Sequence, residues 1–182
     1  MSSLSNGEMP CFDDGVVRLR RFRVEDRERL VELGDNSNVS RFLANRFPSP
    51  YRLEDADAWI GVSTAESRPC SFAIEYEGRL AGGIGLEPMH DMHSGSAELG
   101  YWLGEPYWGR GLAVRAVRLM ADYAFDQLLF IRLQAMVIDG NAASMRVLEK
   151  SGFVREGILR KHVRKNGVVR DAHLFARLRR DG

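Results

Sequence analysis

The chain has 182 residues, 45% of them hydrophobic and 28% charged, with a formal net charge of +1. That length suits one domain with a sizeable core, and the near-neutral balance excludes a bulk electrostatic case for nucleic acid. The two cysteines, Cys11 and Cys70, fit neither a disulfide scaffold nor a metal-ligand spacing, and no run of about 18 apolar residues marks a membrane span, so a reduced, cytoplasmic protein is the expectation.

In chain order, Met1–Pro10 is polar and lacks the apolar core of a signal peptide. A disordered segment is expected over residues 1–14, followed by a single domain over 15–182. Val16–Arg20 alternates apolar and basic residues, as a strand does, and Asp26 opens a short helix with Leu30 and Leu33 on one face. Phe42–Tyr51, with two prolines and several aromatics, reads as a loop. Leu53–Ala65 reads as a second helix with Ala56, Ile60 and Thr64 spaced by four. Ser71–Tyr76 and Arg79–Leu86 form a hairpin about Glu77-Gly78. Gly82, Gly83 and Gly85 in its second arm signal a bulge or a close backbone approach. A polar loop with His90, Asp91 and His93 follows, then a strand over Ala97–Leu103. Beyond the glycine-rich junction discussed next come a strand at Ile131–Ile138, a helix at Ala142–Lys150, a strand start at Phe153–Gly157 and a long hairpin about Lys165-Asn166-Gly167, where His162 and His173 are expected to face each other. The sum is a mixed α/β (α+β) domain without internal repeats.

The informative junction is Leu103-Gly104-Glu105-Pro106-Tyr107-Trp108-Gly109-Arg110-Gly111-Leu112-Ala113. Ala113, Ala116-Val117, Met120-Ala121 and Ala124-Phe125 then fall on one helical stripe. The first amides of that helix have no intrahelical acceptor, and two glycines let a ligand come close to them, so a phosphate or pyrophosphate is the natural guest. Arg110 adds a charge-assisted donor and Arg115 stands near enough in sequence to help. No Gly-Lys-Ser/Thr follows, which excludes a Walker loop, and the dinucleotide fingerprint is incomplete.

Trp108-Gly109-Arg110-Gly111-Leu112-Ala113 resembles the coenzyme A pyrophosphate loop of the GCN5-related N-acetyltransferase (GNAT) superfamily, and Asn141–Phe153 resembles its second signature. Leu19-Arg20, Glu54-Asp55-Ala56 with Trp59, Glu98–Leu103 and Gly152–Gly157 are similar to the RimJ/RimL-like branch, so that the resemblance spans about Val16–Leu178. Two departures stand out: Trp108 where Gln or Arg is usual, and Leu148 where many members carry a Tyr that protonates the leaving thiolate.

The resemblance implies a central, mostly antiparallel sheet flanked by helices and splayed between Ala97–Leu103 and Ile131–Ile138. Acetyl-coenzyme A would lie in that gap as co-substrate, with no metal, held by Leu99, Tyr101, Trp102, Leu103, Trp108, Gly109, Arg110, Gly111, Leu112, Ala113, Asn141 and Ser144. An amine, either of a small molecule or of a protein N-terminus, would attack the thioester directly. Glu98 is the candidate base, with Glu87 behind it, and Ser144 the candidate donor to the leaving sulfur. Asn141 also suits an N-cap of the following helix, and the two roles are compatible. By the same resemblance Arg41, Phe42, Phe47 and Tyr51 would wall the acceptor side, although the aromatics serve equally as core.

Three readings stay open at this stage: an acetyl-coenzyme A-dependent N-acetyltransferase, a catalytically weak acetyl-coenzyme A-binding module of the same fold, and a nucleic-acid binder using the basic run between Arg160 and Arg180. Neither nucleic acid nor membrane is the expected partner, and the long C-terminal strand offers an edge for a homodimer.

Overall fold

The computed structural model of the chain describes residues 11–65 and 69–180. Its strands are β1 (Phe12–Asp13), β2 (Val17–Arg20), β3 (Ser71–Tyr76), β4 (Arg79–Pro88), β5 (Ser96–Leu103), β6 (Arg132–Ile138), β7 (Val154–Lys165) and β8 (Val168–Leu178). The α-helices are α1 (Arg27–Gly34), α2 (Ser37–Ser40), α3 (Leu53–Ala65), α4 (Leu112–Asp126) and α5 (Ala142–Lys150). All eight strands form one sheet in the order β1-β2-β3-β4-β5-β6-β8-β7, antiparallel except where β5 meets β6. This is the mixed, mostly antiparallel, helix-flanked sheet expected. Of the segment expected to be disordered, residues 1–10 lie outside the described residues. Phe12–Asp13 instead forms β1 against Leu19 and Arg18, and the Phe12 ring packs on Phe72 and Tyr123.

Side-chain alternation sends the two faces of the sheet to different helices. Phe72, Ile74, Ala81 and Ile84 join Val117, Met120 and Leu148 in the larger core under α4 and α5. Ala73 and Leu80 join Leu30, Tyr51, Ala56 and Ile60 in a smaller core under α1 and α3. On α3 the buried stripe runs Ala56, Ile60, Ser63, so the expected third position, Thr64, is displaced by one residue and exposed. A buried ion pair anchors the same end of the sheet: the two terminal guanidinium nitrogens of Arg20 donate to the Asp26 carboxylate at 2.6 and 2.7 Å, and Arg20 Nε donates to Glu75.

Two irregularities shape the sheet, one at its centre and one at its edge. The first is glycine in β4. A Cβ at Gly82 would lie 2.1 Å from the Trp102 carbonyl oxygen, and one at Gly83 would lie 2.9 Å from Trp102 Nε1. Both features expected of these glycines occur: the β5 backbone comes close at Gly82, and β4 bulges at Ala81, where its register with β3 shifts. The second is a bulge in β7. Leu159 pairs with Ala172 and Val163 with Arg170, so three residues on β7 oppose one on β8. Lys161 takes φ 53°, and its amide donates to Asp171 Oδ1 at 2.7 Å. His162 lies within the bulge, and His173 stands opposite Ile158, correcting the expected histidine pairing. His173 is buried, with Nε2 2.9 Å from Asp139 Oδ1.

Gly82→Ala should force the β4–β5 spacing open at a point where the obstacle is backbone. The expected cost is about 1–3 kcal/mol of unfolding free energy, measured by urea titration; unchanged stability would show that the two strands have slack there.

Candidate active site

The site begins where β5 leaves β6. Ser96, Ala97 and Glu98 pair with Arg132, Leu133 and Gln134, and the pairing stops there. β5 nevertheless continues along β4 up to Leu103, opposite Gly82. From Leu99 to Leu103 one side of β5 thus faces an opening rather than a neighbouring strand, as expected for the gap. Ala97, Leu99 and Leu103 point into the core under α4, which places Tyr101 on that helix side; Glu98 and Trp102 lie on the other.

At the end of the opening the chain turns into α4. Gly109 and Gly111 take φ 75° and 76°, a left-handed conformation natural to glycine, and no atom stands within 4 Å of where their Cβ atoms would be. The first turn of α4 holds no acidic residue, and its leading amides lack intrahelical acceptors. The loop fits a pyrophosphate: open in front, donor-rich and without an acidic residue in the first turn of its helix. Arg110 is exposed beside it, whereas Arg115 pairs with Asp14 at 2.9 Å, so the help expected from Arg115 is already engaged. The Trp108 indole donates to the Leu103 carbonyl at 2.8 Å, tying loop to strand while the side chain stays 42% exposed. Leu99, Leu103 and Leu112 are buried core side chains, so only their backbone groups can meet a ligand.

Across the opening stands α5. Asn141 Oδ1 accepts from the Ser144 amide at 3.2 Å, the N-cap that its residue type suggests. Gly152 (φ 84°) ends the helix, with its amide bonded to the Glu149 carbonyl and that of Phe153 to the Leu148 carbonyl, the paired bonds of a Schellman motif. The Tyr101 hydroxyl lies 2.9 Å from Ser144 Oγ and 3.2 Å from the Ser144 carbonyl oxygen, bridging β5 to α5. Burial pushes the Tyr101 phenol up to about 12.

Glu98 occupies the opposite face. It is half-buried and directly cross-strand from Glu87. Loss of water raises its pKa, the Glu87 charge raises it further, and Arg46 and His162 pull the other way. Arg46 itself binds Glu87 at 2.7 Å. Arg46 comes from an irregular loop and His162 from the β7 bulge, two places with no sequence periodicity, which is why neither was foreseen at Glu98. The expected acceptor wall is only partly exposed. The Arg41 guanidinium sits over Phe42 at 4.7 Å, and Phe47 packs edge-on to Trp102 at 5.5 Å. Tyr51, 4% exposed, belongs to the core beneath Phe47. The loop meets the β7–β8 hairpin through Asn45 Nδ2 and the Arg164 carbonyl at 3.1 Å.

His90 and His93 lie on the exposed loop between β4 and β5, His93 in a single 3-10 turn, and among the described residues no group of three or more His, Cys, Asp or Glu is gathered to hold a metal ion. Neither cysteine forms a disulfide, and no described helix is long and apolar enough to cross a membrane.

Comparison with known proteins bears on the family and the fold. A family model described as an acetyltransferase (GNAT) domain matches residues 17–154. Over 168 residues the chain is 30% identical to a Bacillus licheniformis protein named uncharacterized N-acetyltransferase p20, covering 91% of this chain and 94% of that one. It is 31% identical over 158 residues to the spermidine N(1)-acetyltransferase of Escherichia coli strain K12, covering 86% and 82%. Among solved structures, Mycobacterium smegmatis RimJ in complex with CoA-disulfide shares the fold at a TM-score of 0.81 and 24% identity, over 93% of this chain and 86% of that one.

Glu98 should titrate above the ordinary glutamate value of 4.5 when its carboxyl carbon is followed by NMR. Glu87→Gln removes a like charge and should move that midpoint down; Arg46→Ala removes an opposite charge and should move it up. A Glu98 midpoint at or below the ordinary value would contradict the arrangement.

Proposed function

The chain belongs to the acetyltransferase (GNAT) family and is an acetyl-coenzyme A-dependent N-acetyltransferase, and on that premise we propose that it works through the opening between β5 and β6, with Glu98 as its base. The observation that carries this reading is the end of β5–β6 pairing at Glu98, the residue whose pKa burial and Glu87 raise.

Acetyl-coenzyme A supplies an activated acetyl thioester. The Gly109–Ala113 loop holds the pyrophosphate through backbone amides, with Arg110 as outer counter-charge; Trp108 fixes the loop through its bond to Leu103. The free backbone of Leu99–Leu103 takes the pantetheine arm as a strand would, and Asn141, whose cap uses only Oδ1, offers its Nδ2 to the same arm. Amides near Leu99–Trp102 receive the oxyanion.

The acceptor enters on the Glu98 face, between the Phe42–Tyr51 loop and the β7–β8 hairpin. Only a neutral amine attacks. An α-amine, with a pKa of about 8, is partly neutral near pH 7, whereas an alkylamine at about 10.4 is almost wholly charged and needs a base. A carboxylate raised above its usual range takes that proton more readily, directly or through one water. Ser144, at the mouth of α5, donates to the leaving sulfur.

The acceptor class proposed is a primary amine, either of a small molecule or of a protein N-terminus. The acidic Glu87–Glu98 pair favours an acceptor that arrives as a cation. A cytoplasmic location is supported by the absence of a disulfide between the cysteines. The C-terminal strand β8 lies between β6 and β7 and offers no edge, contrary to expectation; a homodimer through the outer edge of β7 is supported instead by Val154 and Ile158, exposed on that strand.

Calorimetric titration with acetyl-coenzyme A, paired with thiol release over a panel of spermidine, amino acids and N-terminal peptides, tests the proposal. Binding and release are expected, with Glu98→Gln lowering kcat/KM about 10²–10⁴-fold and Gly111→Val weakening acetyl-coenzyme A binding. Full activity of Glu98→Gln would remove the base assignment, and undiminished binding by Gly111→Val would remove the loop assignment.

A further inference from the structure

Two hydroxyls meet on the helix side of the opening, and each comes from a different lip of it. Tyr101 stands on β5, three residues beyond the last one paired with β6; Ser144 stands in the first turn of α5. Their oxygens are 2.9 Å apart. The serine backbone is held where its amide donates to Asn141 Oδ1, and its carbonyl, 3.2 Å from the Tyr101 hydroxyl, is the longer of two acceptors for the one phenol proton. Leu148, one turn further along α5, is a fully buried core side chain and has no proton to offer.

The phenol has one proton to give. When it donates to Ser144 Oγ, the serine proton is released from the pair and can turn into the opening. A serine hydroxyl that accepts one hydrogen bond becomes a better donor of the next.

We propose that Tyr101 is a positioning residue for the departing thiolate: its phenol donates to Ser144 Oγ, and Ser144 in turn donates to the sulfur as the carbon–sulfur bond breaks. The inference rests on the acetyl-coenzyme A reading of the opening. The bond formed is between the amine nitrogen and the carbonyl carbon, the bond broken is between that carbon and sulfur, and the electron pair stays on sulfur. The neutral amine loses one proton as the amide forms, through Glu98 to water, and an acceptor that arrives as an ammonium gives up a first proton by the same route before attack. Relative acidities fix what the hydroxyls do. A thiol ionises at about 8.5, whereas burial pushes the Tyr101 phenol up to about 12. Neither hydroxyl surrenders its proton to the weaker base; both serve as donors to a negative charge, and the thiolate takes a proton from water after release. Tyr101 thus belongs to the hydrogen-bonding apparatus of the leaving group from β5, on the face of that strand opposite Glu98.

The test is single-turnover thiol release with enzyme in saturating excess over acetyl-coenzyme A, and with whichever panel amine reacts fastest, for wild type, Tyr101→Phe, Ser144→Ala and the double variant. Single turnover isolates the chemical step from product release. Tyr101→Phe keeps the ring, so calorimetric affinity for acetyl-coenzyme A should stay within about twofold of wild type while the rate falls about tenfold; Ser144→Ala should cost about 10²-fold, and the double variant no more than Ser144→Ala alone. The rate should also show no basic limb below about pH 10, since no general acid ionises there. An unchanged rate for Tyr101→Phe overturns the proposal, and so does a double variant whose loss is the product of the two single losses, because then the hydroxyls act independently. Loss of affinity matching the loss of rate in Tyr101→Phe would mark a structural role and overturn it too. A wild-type chain that binds no acetyl-coenzyme A would instead bring down the reading of the opening itself, and this inference with it.

Discussion

The structure depends on a pairing that stops. β5 runs beside β6 for three residues and then leaves it, although both strands continue. An unpaired strand edge within a sheet is ordinarily a hazard, since its amides and carbonyls are left without partners. Here β5 is held away from β6 by what lies behind it. It pairs with β4 as far as Leu103, at a spacing that only Gly82 permits, and its Leu99 and Leu103 side chains are anchored in the core against α4. The edge stays open because closing it would mean dragging β4 and α4 as well.

The alternation of a strand then separates two tasks. Glu98 and Trp102 point toward the loop that carries Arg46 and Phe47; Tyr101 points toward α5. A carboxylate with a raised pKa lies on one side of the opening and a hydroxyl pair on the other. An amine losing a proton and a thiolate gaining negative charge need opposite surroundings, and one strand provides both within four residues. The helix N-terminus at Gly111–Leu112 closes the far end with positive electrostatic character.

Much of this was legible in the residues, where chemistry and local geometry coincide. Asn141 had to cap something, and the helix bounds Ala142–Lys150 follow from it and from Gly152. Gly109 and Gly111 marked a positive-φ turn ahead of an amphipathic stripe, and the glycines of β4 marked a close approach. What escaped sequence reasoning depends on distant segments. Arg46 reaches Glu87 from a loop without period, and the hairpin register, shifted further by the bulge in β7, leaves His162 apart from His173. β1 is two residues long, too short for alternation to register, and Arg115 looked available until Asp14 was placed beside it. Tyr101 was expected near the cofactor, but its bond to Ser144 required knowing how far apart the lips of the opening stand.

The central claim is that acetyl-coenzyme A occupies the gap beside β5. Amide hydrogen exchange of the free and acetyl-coenzyme A-saturated protein tests it residue by residue. The account predicts slowed exchange at those amides of Leu99–Leu103 that face the opening and at Gly109–Ala113, with little change in the β2–β3 pair. Protection confined to other segments, with β5 beyond Glu98 exchanging as in the free protein, would contradict it.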